Sequence, residues 1–316
     1  MEKKRVLIFV HFNPYGSLSS HVLYTLEHIK DCYTKVVFVS NSPLSLEHKE
    51  NLRPLCCKIM ERPNFGFDFG AWKDALLEMG WNEIVKFDTL TIMNDTCFGP
   101  LYEFKPIIEE MEESGIDFWG ITNHRKQKSG MPGTNGSIPE HIQSYFLSFN
   151  HRVIVSKIFQ DFWNKVEYFD DVNDVIKNYE TQLTQYLINA GFEYNVCIDT
   201  VKFSCRNNNL ATWQPDVLLP LKNPFIKIKS FLLYPHPQYL KRLIVKYSNF
   251  PISLIDDYYN CTYNPNVSID LSSKNLVVNH SISNKLYDNV KVAMHIHVFY
   301  LDVFEKYLQK LSEISY

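Results

Sequence analysis

Short apolar runs, each ended by a polar or glycine break, constrain the fold of this chain most strongly. Continuous runs occupy residues 6–10, 36–39 and 89–93, and a helical pattern with Val22 and Leu26 on one face separates the first two. Apolar runs of about four to eight residues that alternate with helical patterns are typical of parallel strands buried on both faces of a sheet. The pattern therefore predicts an α/β fold.

The same alternation continues along the chain. Further strands are predicted near 57–60, 117–121 and 141–149. Helices are predicted up to residue 79, and over 106–113, 155–166 and 172–190, with Gly191 as the C-cap of the last one. The Gly-, Ser- and Pro-rich stretch 126–139 predicts a mobile loop. A mostly parallel sheet flanked by helices is expected.

The C-terminal part has a different organisation. Residues 291–300 have the pattern of a strand, and a helix face follows at Leu301, Phe304, Leu308 and Leu311. One strand and one helix cannot bury a core of their own. We predict a main domain over 1–235, an irregular connecting region over 236–290, and a strand–helix extension over 291–316 that begins a truncated second unit.

Composition narrows the functional classes. The net charge of −3 argues against bulk nucleic-acid binding, which requires a basic face. The seven cysteines include no Cys-x-x-Cys pair, so reduced thiols are expected rather than a disulfide framework or a zinc site. The first apolar run is shorter than a secretory signal, and no run reaches about 18 residues. A cytoplasmic location is expected.

Asn94, Asp95 and Thr96 follow a predicted buried strand directly. Ligands of α/β sheets bind beyond the carboxyl ends of the strands. A carboxylate at Asp95 is suited to hold Mg²⁺ or Mn²⁺, which would bridge a diphosphate. The alternative is an Asx turn that closes the strand.

A glycine-punctuated segment spans 64–72. Gly66 and Gly70 allow a ligand to approach the backbone closely, and Asp68 lies near a helix start. Asp68 is predicted to contact a sugar or base, or alternatively to cap the helix. The segment matches neither the dinucleotide-binding nor the phosphate-binding glycine pattern.

Four further residues carry candidate chemistry. Glu180 is a candidate general base, or a solvated helix glutamate. Lys227 is a candidate phosphate ligand, or a surface lysine. His295 and His297 alternate on one predicted strand, where a metal pair or a packed role on the sheet face are the two interpretations.

Taken together, these segments resemble the rhamnan synthesis F family of bacterial glycosyltransferases. The resemblance is collinear over nearly the whole chain, and it is carried by HFNPYG (11–16), VVFVSNSPL (36–44), NFGFDFGAWKDAL (64–76), IMNDTCFGPL (92–101), DFWGIT (117–122), HIQSYFLSF (141–149), YETQLTQYL (179–187), NPFIK (223–227) and HIHVFY (295–300).

The resemblance implies a GT-A-like nucleotide-diphosphosugar fold and a role in making rhamnose-containing polysaccharide. It implies dTDP-β-L-rhamnose as donor and a growing lipid-linked cell-wall or capsular glycan as acceptor. An α-linked product would require inversion at the anomeric carbon, which takes place in one displacement with a single general base. The location would then be peripheral, at the inner face of a bacterial membrane. Asn94-Asp95-Thr96 replaces the Asp-x-Asp metal motif usual in such folds.

The donor is expected beyond the carboxyl edge of the sheet, where breaks after several strands converge. The predicted donor-binding residues are His11, Asn13, Tyr15, Asn41, Asn64, Gly66, Asp68, Asn94 and Lys227, with Asp95 as metal ligand. The resemblance puts Glu180 on the acceptor side as general base. His141 is the competing base, because histidine is competent near neutral pH, whereas Asp117 has apolar neighbours.

Two other functions are consistent with the sequence. One is a non-catalytic nucleotide- or glycan-binding subunit of a polysaccharide assembly complex, favoured by the missing second aspartate of the metal motif. The other is a transferase of a different sugar. Donor hydrolysis separates the first of these from an enzyme.

Overall fold

The computed structural model describes residues 3–128, 137–203 and 209–262. These residues contain ten strands and fourteen α-helices. All of these residues belong to the first of two compact units, residues 1–276. The predicted strand, helix and histidine pair beyond residue 290 lie outside the described residues. So do residues 129–136 of the predicted loop.

The strands are short, and the longest have seven residues. They are β1 (Arg5–His11), β2 (Lys35–Ser40), β3 (Lys58–Glu61), β4 (Thr89–Asn94), β5 (Cys97–Phe98), β6 (Phe118–His124), β7 (His141–Ile142), β8 (Phe146–Asn150), β9 (Tyr194–Ile198) and β10 (Ile226–Lys227).

The helices vary from single turns to thirteen residues. They are α1 (Ser20–Ile29), α2 (Leu46–Leu52), α3 (Phe67–Met79), α4 (Trp81–Ile84), α5 (Lys105–Glu113), α6 (His151–Ile154), α7 (Lys157–Asn164), α8 (Val172–Val175), α9 (Thr181–Asn189), α10 (Leu210–Trp213), α11 (Pro215–Leu218), α12 (Ser230–Leu233), α13 (Pro237–Tyr247) and α14 (Ser253–Asp257). Short 3₁₀ turns and two π-helical turns, Ile176–Glu180 and Tyr258–Thr262, connect some of them.

The main sheet has the order β3-β2-β1-β4-β8-β6-β7, and β9 pairs with the other edge of β6. Strands β1 to β4 are parallel, and β8 runs antiparallel between β4 and β6. Every residue of β1 and β4 is buried, as expected for strands covered on both faces. The predicted α/β class with a mostly parallel sheet is confirmed.

Helices cover both faces of this sheet. Val6, Ile8 and Val10 of β1 point to one core, which also contains residues of α3 and α7. The alternate residues, Leu7 and Phe9, point to a second core with residues of α1 and α5. Because successive side chains of a strand face opposite sides, one buried strand supplies both cores.

A third, smaller core lies beside the sheet. It is formed where β5 pairs antiparallel with β10, and α12, α13 and α14 pack against this pair. Its central side chains are Phe98, Ile226, Phe231, Leu240 and Ile255. Residues 237–257 were expected to be irregular, and here they contain two helices instead.

The predicted strand over 141–149 is two strands, β7 and β8, separated by residues 143–145. The predicted helix over 172–190 is interrupted by a π-helical turn at 176–180. Within the described part of the chain, no helix combines the length and apolarity needed to cross a bilayer.

Candidate active site at the carboxyl edge of the sheet

The ends of β1 and β4 bring His11 and Asp95 together. The two strands are parallel neighbours, and Val10 lies opposite Asn94, so the next residue of each strand faces the same edge. His11 Nδ1 is 2.6 Å from Asp95 Oδ2, and the Phe12 backbone N–H donates to the same oxygen at 3.2 Å. Oδ1 of Asp95 accepts no hydrogen bond from the described residues.

Asn94 forms the turn that the sequence offered as an alternative to a metal site. Its Oδ1 accepts from the Thr96 backbone N–H at 3.2 Å and from the Thr96 hydroxyl at 2.6 Å. Its Nδ2 donates to Asp68 Oδ2 at 2.8 Å. The Asx turn therefore engages Asn94 and leaves the carboxylate of Asp95 at the edge of the sheet.

A histidine that the sequence did not single out supports this turn. His21 is buried in α1, and burial, opposed by the charge of Asp95, lowers its pKa to about 4. The neutral ring donates from Nε2 to the Asp95 backbone carbonyl at 3.2 Å, and Nδ1 accepts from the Ser19 hydroxyl at 2.8 Å.

The glycine-punctuated segment places Asp68 beside Asn94. Gly66 has a φ of 68°, a left-handed conformation that suits glycine, and it precedes the first turn of α3. Asp68 is partly buried in that turn, where burial and then the charge of Asp95 raise its pKa to about 7. Two carboxyl groups therefore lie close together at this edge.

Arg62, which sequence reasoning missed, holds this segment in place. Its guanidinium donates to Asp74 Oδ2 at 2.6 Å, to Asn41 Oδ1 at 2.8 Å and to the Phe65 carbonyl at 2.6 Å. Asn41 in turn donates to Asn64 Oδ1 at 3.0 Å. The side chain of Asn41 thus connects the end of β2 to the loop.

Glu180 ends the π-helical turn and is partly buried. Burial acts to raise its pKa, but His141, Lys227 and hydrogen bonding from Ser144 outweigh it, so that the pKa lies below its usual value. One carboxylate oxygen accepts from the Ser144 backbone N–H at 3.4 Å. Widened helical turns occur frequently at functional sites.

Lys227 lies on β10 and faces the same region. Its ammonium nitrogen is 5.3 Å from the centre of the Tyr145 ring. Burial, and then the charge of Lys229, lower the pKa of Lys227 to about 8. The lysine is therefore largely cationic at neutral pH.

These side chains line one cleft with a volume of about 520 Å³. The predicted site residues among its walls are His11, Asn13, Asn64, Asp68, Asn94, Asp95, Glu180 and Lys227. Thr96 of the Asn94-Asp95-Thr96 motif also lines it, as do Lys229, Ser144 and Tyr258, which the sequence did not indicate. The volume suits a small-molecule ligand.

Four predicted site residues do not line this cleft: Tyr15, Asn41, Gly66 and His141. Tyr15 is half exposed, and its backbone N–H donates to Asn13 Oδ1 at 2.8 Å. His141 stacks on His124 and hydrogen-bonds through Nδ1 to the Pro139 carbonyl at 2.8 Å. Burial lowers the pKa of His141. Asp117, the disfavoured base, pairs with Arg152 away from the cleft.

The donor set fits a divalent cation in an open site. Among the described residues, no three His, Cys, Asp or Glu side chains form a closed metal site. Mg²⁺ is commonly held by one or two carboxylates together with substrate phosphates and water. Asp95, with its free Oδ1, and the neighbouring Asp68 supply such carboxylates.

The chain belongs to the rhamnan synthesis protein F family, whose sequence pattern matches residues 36–316. It is 34% identical over 186 residues to an uncharacterized protein of Sinorhizobium fredii, covering 58% of this chain and 46% of the relative. It is 30% identical over 167 residues to virulence protein VirA of Vibrio anguillarum, covering 52% of this chain and 49% of the relative. The chain spans about half the length of these relatives.

Solved structures with partial similarity include two mannan-related enzymes. Core-mannan synthase A of Aspergillus fumigatus, in a Mn/GDP form, gives a TM-score of 0.31 at 10% identity, covering 50% of this chain and 63% of its own. Mannosyltransferase Ktr4p of S. cerevisiae gives a TM-score of 0.31 at 8% identity, covering 52% of this chain and 60% of its own. A 4-diphosphocytidyl-2C-methyl-D-erythritol synthase of Anaerococcus prevotii gives a TM-score of 0.40 at 9% identity, covering 76% of this chain and 99% of its own.

Proposed function

We propose that this chain is a nucleotide-sugar-dependent glycosyltransferase. The observation that carries the proposal is the composition of the cleft, where the carboxylates of Asp95 and Glu180 and the ammonium group of Lys227 line one cavity. A sugar transfer needs a cationic environment for the leaving diphosphate and a base for the acceptor hydroxyl. These residue types supply both.

The diphosphate end of the donor is assigned to Asp95, Lys227 and Lys229. A divalent cation held by Asp95, with Asp68 beside it, would stabilise the charge that develops on the leaving nucleoside diphosphate. Lys227 and Lys229 line the same cleft and offer positive charge to the phosphate oxygens. The remaining predicted donor contacts are His11, Asn13, Asn64 and Asn94.

Glu180 is proposed as the general base. Its pKa lies below the usual value despite burial, so the group is ionised at neutral pH. It takes the proton of the acceptor hydroxyl as that oxygen bonds to the anomeric carbon and the nucleoside diphosphate leaves. His141 is the weaker candidate, because it does not line the cleft and its Nδ1 is engaged by Pro139.

Family membership supports rhamnose as the transferred sugar, because the family is described by rhamnan synthesis. We propose dTDP-β-L-rhamnose as donor, inversion at the anomeric carbon, and a lipid-linked cell-wall or capsular glycan as acceptor. Such an acceptor would bring the protein to the inner face of the cell membrane. The fold is proposed to be of the GT-A type, with Asn94-Asp95-Thr96 in place of Asp-x-Asp.

A screen of nucleotide sugars tests the proposal. The purified chain is incubated with each donor, with and without Mn²⁺, and release of nucleoside diphosphate is measured. We expect release from dTDP-rhamnose that Mn²⁺ accelerates. A chain that binds a nucleotide sugar but never releases its diphosphate would instead be the non-catalytic binding subunit, the alternative that Asn94-Asp95-Thr96 in place of Asp-x-Asp favours.

A further inference from the structure

The outward side of α13 and the turn at Leu221 form a basic face that also carries exposed apolar side chains. We call it the basic face and define it by Leu221, Lys222, Tyr239, Arg242, Val245 and Lys246. Leu221, Tyr239 and Val245 are 46%, 42% and 63% exposed. These fractions are high for side chains of this size, so the face lacks an apolar partner within the described part of the chain.

The geometry of α13 explains how these side chains come together. Leu240 and Ile244 point inward to the third core. Tyr239, Arg242 and Lys246 follow at spacings of three and four residues, which puts them on the outward side of the helix. The turn with Leu221 packs directly beside α13. The face is therefore continuous across two elements.

The charge of this region is opposite to that of the whole chain. Residues 209–247 contain six basic residues and one acidic residue, whereas the chain has a net charge of −3. Lys241 pairs with Asp256, and Lys227 faces the cleft. Lys222, Arg242 and Lys246 are exposed and form no ion pair with described residues, although Arg242 and Lys246 lie over the rings of Tyr239 and Tyr247.

We propose that the basic face docks on the surface of an anionic lipid bilayer. Lysine and arginine side chains are attracted to anionic headgroups, and neighbouring aromatic and aliphatic side chains enter the boundary between headgroups and acyl chains. A nucleic acid would neutralise the charges but would give Leu221 and Val245 no apolar environment. The combination of both residue types favours lipid.

The helix α12 connects the cleft of the proposed active site with α13, which carries most of the basic face. Leu232 on α12 lines the cleft, whereas the next residue, Leu233, is 42% exposed, and α12 packs on α13. Docking would bring the cleft close to the headgroups. This inference rests on the proposed function, because a lipid-linked acceptor is presented at a bilayer.

Vesicle flotation of the full chain tests the inference without any donor or acceptor. Vesicles of phosphatidylcholine alone are compared with vesicles that also contain phosphatidylglycerol. We expect binding only to the anionic vesicles, and release at about 1 M salt, where the Debye length is about 3 Å. Failure of the glycosyltransferase assay would leave this readout unaffected, so the two ideas fail separately.

The double variant Arg242→Glu with Lys246→Glu should reduce the partition coefficient by about tenfold or more, because each basic residue near the surface contributes about 1 kcal/mol. The matched control is Lys157→Glu with Lys165→Glu. These two lysines are exposed, the first at the start of α7 and the second directly after its end, near exposed Val155 and Ile158. Lys157 pairs with Asp161 of the same helix. The control should bind vesicles as the unchanged chain does.

The circular dichroism spectrum and the urea unfolding curve of each variant report whether it is folded. If the charge-reversal variant does not fold, Arg242→Gln with Lys246→Gln replaces it. The inference is overturned if the full chain ignores anionic vesicles, or if a folded variant of the basic face binds them as well as the unchanged chain. In the second case, another surface or residues 263–316 would carry the binding.

Discussion

At the scale of single residues, Asp95 has one carboxylate oxygen fixed by two hydrogen bonds and one that accepts none from the described part of the chain. Oδ2 meets His11 and the Phe12 backbone, so the orientation of the group is set before any ligand arrives. The free oxygen is the feature that an open cation site needs. The sequence predicted Asp95 from its position after a strand, and that reasoning could not foresee the histidine that orients it.

Replacing Asp95 with Asn keeps the size of the side chain and removes its charge. We expect sugar transfer to fall by about two or more powers of ten, roughly 3 kcal/mol of transition-state stabilisation, while folding changes little. Steady-state kinetics with and without Mn²⁺ measure this. Asp88→Asn, at the opposite end of β4 where Asp88 accepts from the Lys4 backbone, is the control. Normal transfer with unchanged Mn²⁺ dependence would show that Asp95 does not hold the metal.

Lys227 is expected to make nucleotide binding depend on pH. Its pKa is lowered to about 8, so the ammonium group is charged below that pH and neutral above it. Above the range in which Asp68 titrates, near pH 7, binding of dTDP should therefore weaken as the pH rises through about 8, by at most about tenfold per unit for the one proton of Lys227. Calorimetric titration between neutral and alkaline pH measures the effect. The pH dependence of dTDP affinity should disappear in Lys227→Met and persist in Lys202→Met. If it persists in both variants, Lys227 is not the group that causes it.

At the scale of elements, the regular α/β part was predictable and the irregular parts were not. The apolar runs of β1, β2 and β4 and the pattern of α3 determine their own structure locally. The helix α13 was missed although Pro237 stands at its first turn and Leu240 and Ile244 have helical spacing. The split between β7 and β8 had no such signal, because Gln143–Tyr145 are set by buried contacts such as Thr122 with Tyr145.

The contacts of Arg62 show why the site was only partly predictable. Glycines at 66 and 70 marked the loop, but its anchor depends on Asp74 and Asn41, which are distant in sequence and become neighbours only in the folded chain. Long-range hydrogen bonds of this kind leave no periodic pattern. For the same reason, Lys229 and Ser144 were not recognised as walls of the cleft.

Gly70 lies where α3 and the preceding loop pack too closely for a side chain. A Cβ there would be 2.5 Å from the Phe65 carbonyl oxygen, which Arg62 holds in place. Alanine normally favours a helix over glycine by about 0.5–1 kcal/mol. We expect Gly70→Ala instead to destabilise the protein by about 1–3 kcal/mol and to weaken dTDP binding.

Urea unfolding and nucleotide titration measure both effects of Gly70→Ala. The control is Leu77→Ala on the exposed side of the same helix. It should change neither the free energy of unfolding nor the affinity for dTDP strongly. A Gly70→Ala protein that is more stable than the unchanged chain and binds dTDP normally would contradict the account of this loop.

At the scale of the whole molecule, the cleft is assembled from five segments spread over more than 200 residues, near His11, Asp68, Asp95, Glu180 and Lys227. Strand ends supply His11 and Asp95, a helix start supplies Asp68, a π-helical turn supplies Glu180, and the small β5–β10 pair supplies Lys227. Sequence position alone suggested each of them for a separate reason. Their common cleft is the feature that unites donor binding and acceptor activation in one proposal.

The central claim is that this one cleft binds the donor and also deprotonates the acceptor. The most direct measurement is the rate of sugar transfer by Glu180→Gln, taken together with its donor affinity and with Glu167→Gln, an exposed glutamate, as control. We predict that transfer falls by about 10²–10⁴-fold, because the base is lost, while dTDP-rhamnose binds as before. Transfer by Glu180→Gln at the rate of the unchanged chain would contradict the account.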